Sequence, residues 1–552
     1  MQLCDLPEDI LVIVLRKCFS NDDDAATRLK HNLPLLAVCQ LWRYLAAPMV
    51  YNHVFIQYGK SPTSMAQLAR DTNVEEPTDV AVITNLDLIA MVDRASAAKS
   101  MEITIHYLVS PFPGWRNIIQ KMRTVATTWR VVELNVAIYL TSFGLPHHNE
   151  DMSKYTDDIA EVGDALVALV PDVRRLDCGG IYSNPIASLI NGRLAAHYAD
   201  QLQLVKSQHP ISVPLDRQFT RLREFEISYN YLVDYQLPRM ASGELVDISL
   251  TNAPSNHSWT SFSTDSSSQM IEFTKLKRLF VGYNSIYEDN GVAVRHRDGH
   301  PWELRFPSME ELSVHCVQDI CPLFEYAVLP PYMKSISIDM NSATFQQLAD
   351  VVLPATKRFS LSISLFSGGN PSGLPIINRL LGSAHGSESL ELKINDEMLP
   401  VVPESITCTT LTHLLISGPT SVDTMFAFIE RLPKLIGLTF YNLDLSDVQT
   451  DISVPEAGKD VNVEPLRTSL RVLAINYDRE QHSPDMAVAV AKYVLLRIPT
   501  MTKLLAAQTP KDPVLEFAKA YAPRYPHLDG IKLRLYEGEE SANVRFCSRA
   551  CI

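Results

Sequence analysis

The feature that most constrains this 552-residue chain is a short unit that recurs along it: an apolar residue, two variable ones, then apolar, variable, apolar. Nine copies stand out. They are 131–136, 173–178, 222–227, 276–281, 309–314, 333–338, 411–416, 435–440 and 470–475, for example Leu222-Arg223-Glu224-Phe225-Glu226-Ile227. The closing alternation has the period of a strand, so the apolar positions share one face and the variable ones point the other way. With the central apolar residue as marker, Leu312 to Ile336 and Leu414 to Leu438 each span 24 residues, whereas Leu176 to Phe225 spans 49 and Phe225 to Leu279 spans 54. The long intervals predict insertions, notably Ala253 to Gln269 and Asn284 to Pro301.

Several copies follow a breaker, namely Phe306-Pro307, Leu329-Pro330, Leu432-Pro433, Ile498-Pro499 or Tyr525-Pro526, which predicts that a proline ends a helix before each strand. A single unit of that kind cannot bury its apolar side; stacked neighbours can. The predicted class is α/β, an irregular solenoid over 51–540 with a parallel β-sheet on the concave face and helices outside, then a tail over 541–552. In two copies, Ile227-Ser228-Tyr229-Asn230 and Val281-Gly282-Tyr283-Asn284, an Asn follows the strand. With these features the region resembles a degenerate leucine-rich-repeat array, which implies protein binding on the concave face. The lining residues stay open, because a shift of one residue would exchange the two faces.

The first fifty residues read differently. Leu6-Pro7-Glu8-Asp9-Ile10-Leu11 opens a helix with Asp5 as cap, proline in the first turn and acids where the helix dipole favours them. After a polar stretch from Ser20 to Asn32, a second helix is predicted from about Leu35 to Ala47, flanked by Pro34 and Pro48. Its buried candidates are Leu35, Val38, Cys39, Trp42, Leu45 and Ala46, with Gln40, Arg43 and Tyr44 facing water. Two helices this short are too small to be stable alone, so Ile10 and Trp42 must pack against a partner, in this chain or another.

The strings LPEDILVIVL and LLAVCQLWRYLA resemble the F-box family, and 1–50 is expected to form an F-box-like helical module. The resemblance implies docking on the Skp adaptor of an SCF (Skp, cullin, F-box) ubiquitin ligase. By match to the motif, the adaptor contacts are Leu6, Pro7, Asp9, Ile10, Leu11, Val14, Leu15, Val38, Cys39, Trp42 and Leu45. The chain departs from the family in the Ser20 to Asn32 connection, which is longer and more acidic. A bland alternative is that the helices only cap the first repeat.

Motifs for chemistry are sparse. His296-Arg297-Asp298-Gly299-His300, His147-His148, and Cys316 with Cys321 all lack the further ligands that a metal or nucleotide site needs. Gly368 to Gly373 is glycine-rich without the Lys-Ser/Thr of a phosphate loop. No catalytic residue, cofactor or metal is expected. The net charge of -14 argues against nucleic acid, and apolar runs such as Ala165 to Val170 fall far short of the roughly 20 residues of a membrane helix. Nine scattered cysteines in mostly apolar segments, with an acidic Met1 to Leu15, point to a reducing compartment, cytoplasm or nucleus, and not to secretion. The reading is a substrate-recruiting subunit that binds the adaptor and an unknown target protein; the alternative is a repeat scaffold with a helical cap.

Overall fold

A computed structural model describes residues 11, 37, 39–59, 82–91, 95–107, 110–140, 152–179, 185–208, 211, 217–228, 239–253, 270–283, 303–316, 323, 327–341, 353–364, 386–394, 406, 409–445, 464–477, 484–507 and 509–536. They form an α/β protein dominated by parallel strands. Its two compact units are Met1–Leu276 with Val292–Arg305, and Lys277–Gly291 with Phe306–Ile552. No helix among the described residues is long and apolar enough to cross a membrane.

In the first unit the strands of the main sheet are β1 (His53–Tyr58), β2 (Val82–Thr84), β3 (Ser100–Tyr107), β4 (Glu133–Leu140), β5 (Arg175–Gly179), β6 (Leu204–Ser207), β7 (Glu224–Ser228) and β8 (Asp247–Ala253). From β1 through β3 to β8 each pairs parallel with the next, and β2 pairs antiparallel on the far side of β1. Parallel neighbours need crossover connections. Here these include α2 (Leu86–Met91), α3 (Phe112–Val125), α4 (Thr156–Leu169) and α5 (Pro185–His197), whereas α1 (Gln40–Tyr51) precedes β1. Helices α2 to α5 pack side by side in chain order.

Helix α3 shows why its sequence is helical and buried: Trp115, Ile118, Ile119 and Met122 recur at three and four residues and are all buried. Gly114 sits so close to β1 that a Cβ there would lie 2.7 Å from the Tyr58 ring. On α4, Ile159, Val162, Leu166 and Leu169 form the equivalent stripe. The Tyr198 hydroxyl beyond α5 donates to the Val170 carbonyl at 2.7 Å, which satisfies the one polar atom of a fully buried ring.

The second unit holds β9 (Arg278–Tyr283), β10 (Glu311–Cys316), β11 (Tyr332–Asn341), β12 (Ala355–Ser364), β13 (Ser389–Ile394), β14 (His413–Ser421), β15 (Gly437–Asp444), β16 (Val472–Ile475), β17 (Lys503–Ala507) and β18 (Lys532–Tyr536). Each pairs parallel with the next, from first to last. Helix α6 (Val422–Arg431) follows β14, α7 (Pro484–Arg497) follows β16, and α8 (Lys511–Tyr521) follows β17. The Ser421 side chain caps α6 by accepting from the Thr424 amide at 3.2 Å.

The register fixes the face assignment that the sequence left open. Leu279, Leu312, Ile336, Phe359, Leu390, Leu414, Leu438, Leu473, Leu504 and Leu533 stand directly opposite one another along the second ladder. Met101, Leu134, Leu176, Val205, Phe225 and Ile248 do so in the first. Of these, all but Leu533 are buried core. A backbone device repeats with them. The carbonyl just before one strand accepts two successive amides at the start of the next, as Lys99 does from Val132 and Glu133 at 2.8 and 3.1 Å. Val132, Arg174, Gln203, Arg223, Lys277, Glu310, Glu388, Thr412, Ile436 and Arg471 behave alike, so both lone pairs of each carbonyl are used.

All nine predicted copies lie on or lead into these strands. Two expectations need correction. The intervals of 49 and 54 residues each hide a further strand: β6, with Val205 opposite Leu176 and Phe225, and β8, with Ile248 opposite Phe225. The breakers at Pro433 and Pro499 do end helices α6 and α7, and Pro526 opens a 3-10 turn after α8. Phe306-Pro307 and Leu329-Pro330 instead follow short strands, Glu303–Arg305 and Ala327–Val328, so no helix stands directly before them. The proposed insertion residues 254–269 and 284–301, and Asn230 and Asn284, lie outside the described residues.

Candidate protein-interaction surfaces

Helix α1 carries the N-terminal motif's second half. It begins at Gln40, later than the expected Leu35, because Cys39 is extended and acts as its cap: the Cys39 sulfur accepts from the Trp42 amide at 3.4 Å. It also runs through Pro48 to Tyr51 and does not stop at Ala47. Lacking an amide hydrogen, Pro48 deprives only the Tyr44 carbonyl of its helical donor, a loss confined to the last turns.

Among the expected adaptor contacts, Leu11 is helical and fully buried, Trp42 and Leu45 are buried at 6% and 7% exposure, and Cys39 is half-buried. Leu6, Pro7, Asp9, Ile10, Val14, Leu15 and Val38 lie outside the described residues, as does Leu35. Gln40, Arg43 and Tyr44 face water, Tyr44 at 72% exposure. Trp42 is thus covered within this chain, although its buried indole N–H has no hydrogen-bond partner among the described residues.

The second candidate surface is the strand face opposite the core. Alternation places Ser100, Glu102, Thr104 and His106 of β3 there, followed across the first ladder by Glu133 and Asn135, Arg175 and Asp177, Lys206, Glu224 and Glu226, and Asp247. His53 Nδ1 meets the Ser100 hydroxyl at 2.9 Å, with Nε2 3.4 Å from Glu102. Lys206 pairs with Glu226 at 2.9 Å. Burial pushes the Asp177 carboxyl up; Lys206 opposes this, and Glu226 and Glu133 add to it. His106 stacks on Tyr139, ring centroids 4.9 Å apart, and burial lowers its pKa to about 4, so it is neutral.

In the second ladder the same face is rich in serine. Ser313, Ser337 and Ser360 stand in one register row, and His315, Asp339, Ser362 and Lys393 in the next. His315 Nδ1 lies 2.7 Å from Asp339, which holds the imidazole pKa above its usual value. Burial raises the Asp339 carboxyl, and its hydrogen bonds with His315 and Ser362 more than reverse that. The residue types are those of a serine hydrolase, but the order is not. The carboxylate stands between serine and histidine, so the imidazole is not set against the hydroxyl.

Among the described residues no group of three His, Cys, Asp or Glu side chains could hold a metal ion. His147-His148, His296 to His300, Gly368 to Gly373 and Cys321 lie outside them. Cys178 is a free, buried thiol whose pKa is pushed up by burial and by Asp177, which makes it an inert core residue. The charged strand face went unread in the sequence, yet its signal was present: it occupies the variable positions between the apolar markers, as Glu224 and Glu226 do in 222–227. The chain matches no protein-family model and no curated protein sequence.

Proposed function

We propose that this chain is a non-catalytic, substrate-recognition subunit of an SCF-type ubiquitin ligase, built as an F-box-like helical module joined to an irregular leucine-rich-repeat array. The observation that supports it most is the pair of parallel ladders with apolar markers in register on one face and polar side chains on the other, an arrangement suited to binding a protein along the polar face. In this reading Leu6, Pro7, Asp9, Ile10, Val14 and Leu15 meet the Skp adaptor together with Val38, Cys39 and the Trp42 helix. Ubiquitin transfer belongs to the partner components, and this subunit contributes proximity. Its setting is the cytoplasm or nucleus, in keeping with the free thiol of Cys178.

A second reading, a repeat scaffold whose N-terminal helices only cap the array, is favoured by the burial of Leu11, Trp42, Leu45 and Ala46 within the chain. Co-expression with a Skp-type adaptor separates the two. The first reading expects the wild-type chain to co-purify with the adaptor and Leu6→Asp to lose it. Folded wild-type protein that leaves the adaptor behind would leave the capped scaffold. Trp42 is a poor probe here, since truncating so buried a ring costs about 3–5 kcal/mol of stability whichever reading holds.

A further inference from the structure

Charge is sorted between the two strand faces in a way the sequence as a whole conceals. On the outward face of the first ladder, Glu102, Glu133, Asp177, Glu224, Glu226 and Asp247 stand against only Arg175 and Lys206 as full cations. The outward face of the second reverses the balance: Arg278, Arg358, Lys393, Lys503, Lys532 and Arg534 against Glu311, Asp339 and Glu391. A merely solvated surface in a chain of net charge -14 has no reason to collect its cations on one ladder.

The two cations of the first ladder's outward face are too few to offset its six acids. The acids are spread over β3, β4, β5, β7 and β8, each held in register by the ladder, with Arg175 opposite Glu133 and Lys206 of β6 between Asp177 and Glu226. Lys206 is committed to Glu226 at 2.9 Å and sits beside Asp177. Asp177 itself is half-buried and its carboxyl is raised, with Glu226 and Glu133 among the causes, so a cation arriving from outside would relieve an unfavourable arrangement. Farther along the same face, His106 is 4% exposed, neutral, and has a buried Nδ1 without a partner among the described residues. A neutral imidazole there does not repel a cation. No group of three ligands among the described residues fits a metal ion, which leaves a spread of positive charge on a chain as the complement.

We propose that the outward strand face of the first ladder binds a lysine- and arginine-rich polypeptide segment of the target, with Glu133, Asp177 and Glu226 as its central contacts. This rests on the reading of that face as the recognition surface. Electrostatic complementarity of this kind sets partner choice and association rate, and it weakens with salt.

The test uses the full chain and a fluorescein-labelled peptide of alternating lysine and glycine, followed by anisotropy, with a glutamate-glycine peptide as counterpart. The wild type is expected to bind the lysine peptide and ignore the glutamate one. Joint replacement Glu133→Lys, Asp177→Lys and Glu226→Lys should weaken binding by about tenfold or more. The same charge change made at Asp172, Asp200 and Asp529, exposed and outside the ladder strands, should alter it by less than about twofold. If the reversed chain is poorly folded, the milder set Glu133→Gln, Asp177→Asn and Glu226→Gln replaces it, again with a clear loss expected. No binding by wild type, or equal losses in the two sets, would overturn the proposal. Adaptor co-purification from the same samples should be unaffected, so failure here is distinguishable from failure of the ligase reading.

Discussion

His106 carries the clearest consequence at the scale of one residue. Its pKa in the folded chain lies at about 4, lowered by burial, against 6.5 for the free side chain. Above pH 6.5 both states are neutral and the histidine leaves stability unchanged. As pH falls from there toward 4 the unfolded chain takes up a proton that the folded chain resists, so stability drops, by about 2–3 kcal/mol at pH 4.5. Urea unfolding of the wild type at pH 7 and pH 4.5 should show this loss, and His106→Leu should reduce it; an equal loss in the variant would mean that other groups cause it. Nothing in the sequence around His106 announces this role. It arises because the residue faces outward beside Tyr139 while the close backbone of Gly59, at φ +89°, lies against it. A Cβ at Gly59 would come within 2.6 Å of the His106 carbonyl oxygen.

Strand β1 shows how an element can depend on a side chain far along the sequence. On the edge away from β3, β2 covers β1 from Ile56 onward, which leaves the earlier backbone groups to Asn85 and Thr84. Asn85 accepts from the Phe55 amide at 3.0 Å and donates to the His53 carbonyl at 2.8 Å, and Thr84 donates to the Phe55 carbonyl at 3.0 Å. Asn85 is 2% exposed, so Asn85→Ala strands the buried Phe55 amide and the half-buried His53 carbonyl and should cost about 2–3 kcal/mol in chemical unfolding. Asn85→Asp should be harmful as well, because it keeps the acceptor and loses the donor. A cost below about 0.5 kcal/mol would show that water replaces both bonds.

Element by element, the strands were legible wherever three apolar residues kept the spacing, as in 309–314. Strands β6, β12 and β13 were hidden because a buried hydroxyl stands at one of the three positions: Ser207, Thr356 and Ser387. Thr356 and Ser387 are tolerated there because each donates to a backbone carbonyl, at 2.9 and 3.0 Å. Strand β8, by contrast, has the full pattern at Leu245, Ile248 and Leu250 and could have been read directly. The helix boundaries at Pro433 and Pro499 followed from proline's missing amide. Pro48 did not end α1, since the same missing donor costs little near a helix end.

At the scale of the whole molecule, two units each carry one long parallel ladder, and the division near Leu276 is invisible in the residue pattern because the strand unit continues on both sides of it. The apolar face of each ladder was readable from periodicity. The polar face was not, since its chemistry is assembled from residues tens of positions apart that only the register brings side by side, as with Asp177, Lys206 and Glu226. The N-terminal motif stands in a different relation to the structure. Its local pattern named the residues, while the partner they meet is a matter between molecules. Calorimetric titration of the full chain with a purified Skp-type adaptor addresses that directly. A saturable one-to-one complex with a Kd at or below about 1 μM is expected, and its loss in Leu6→Asp. A cooperatively folded chain that gives no binding heat and no complex on gel filtration would contradict the assignment to an SCF ligase.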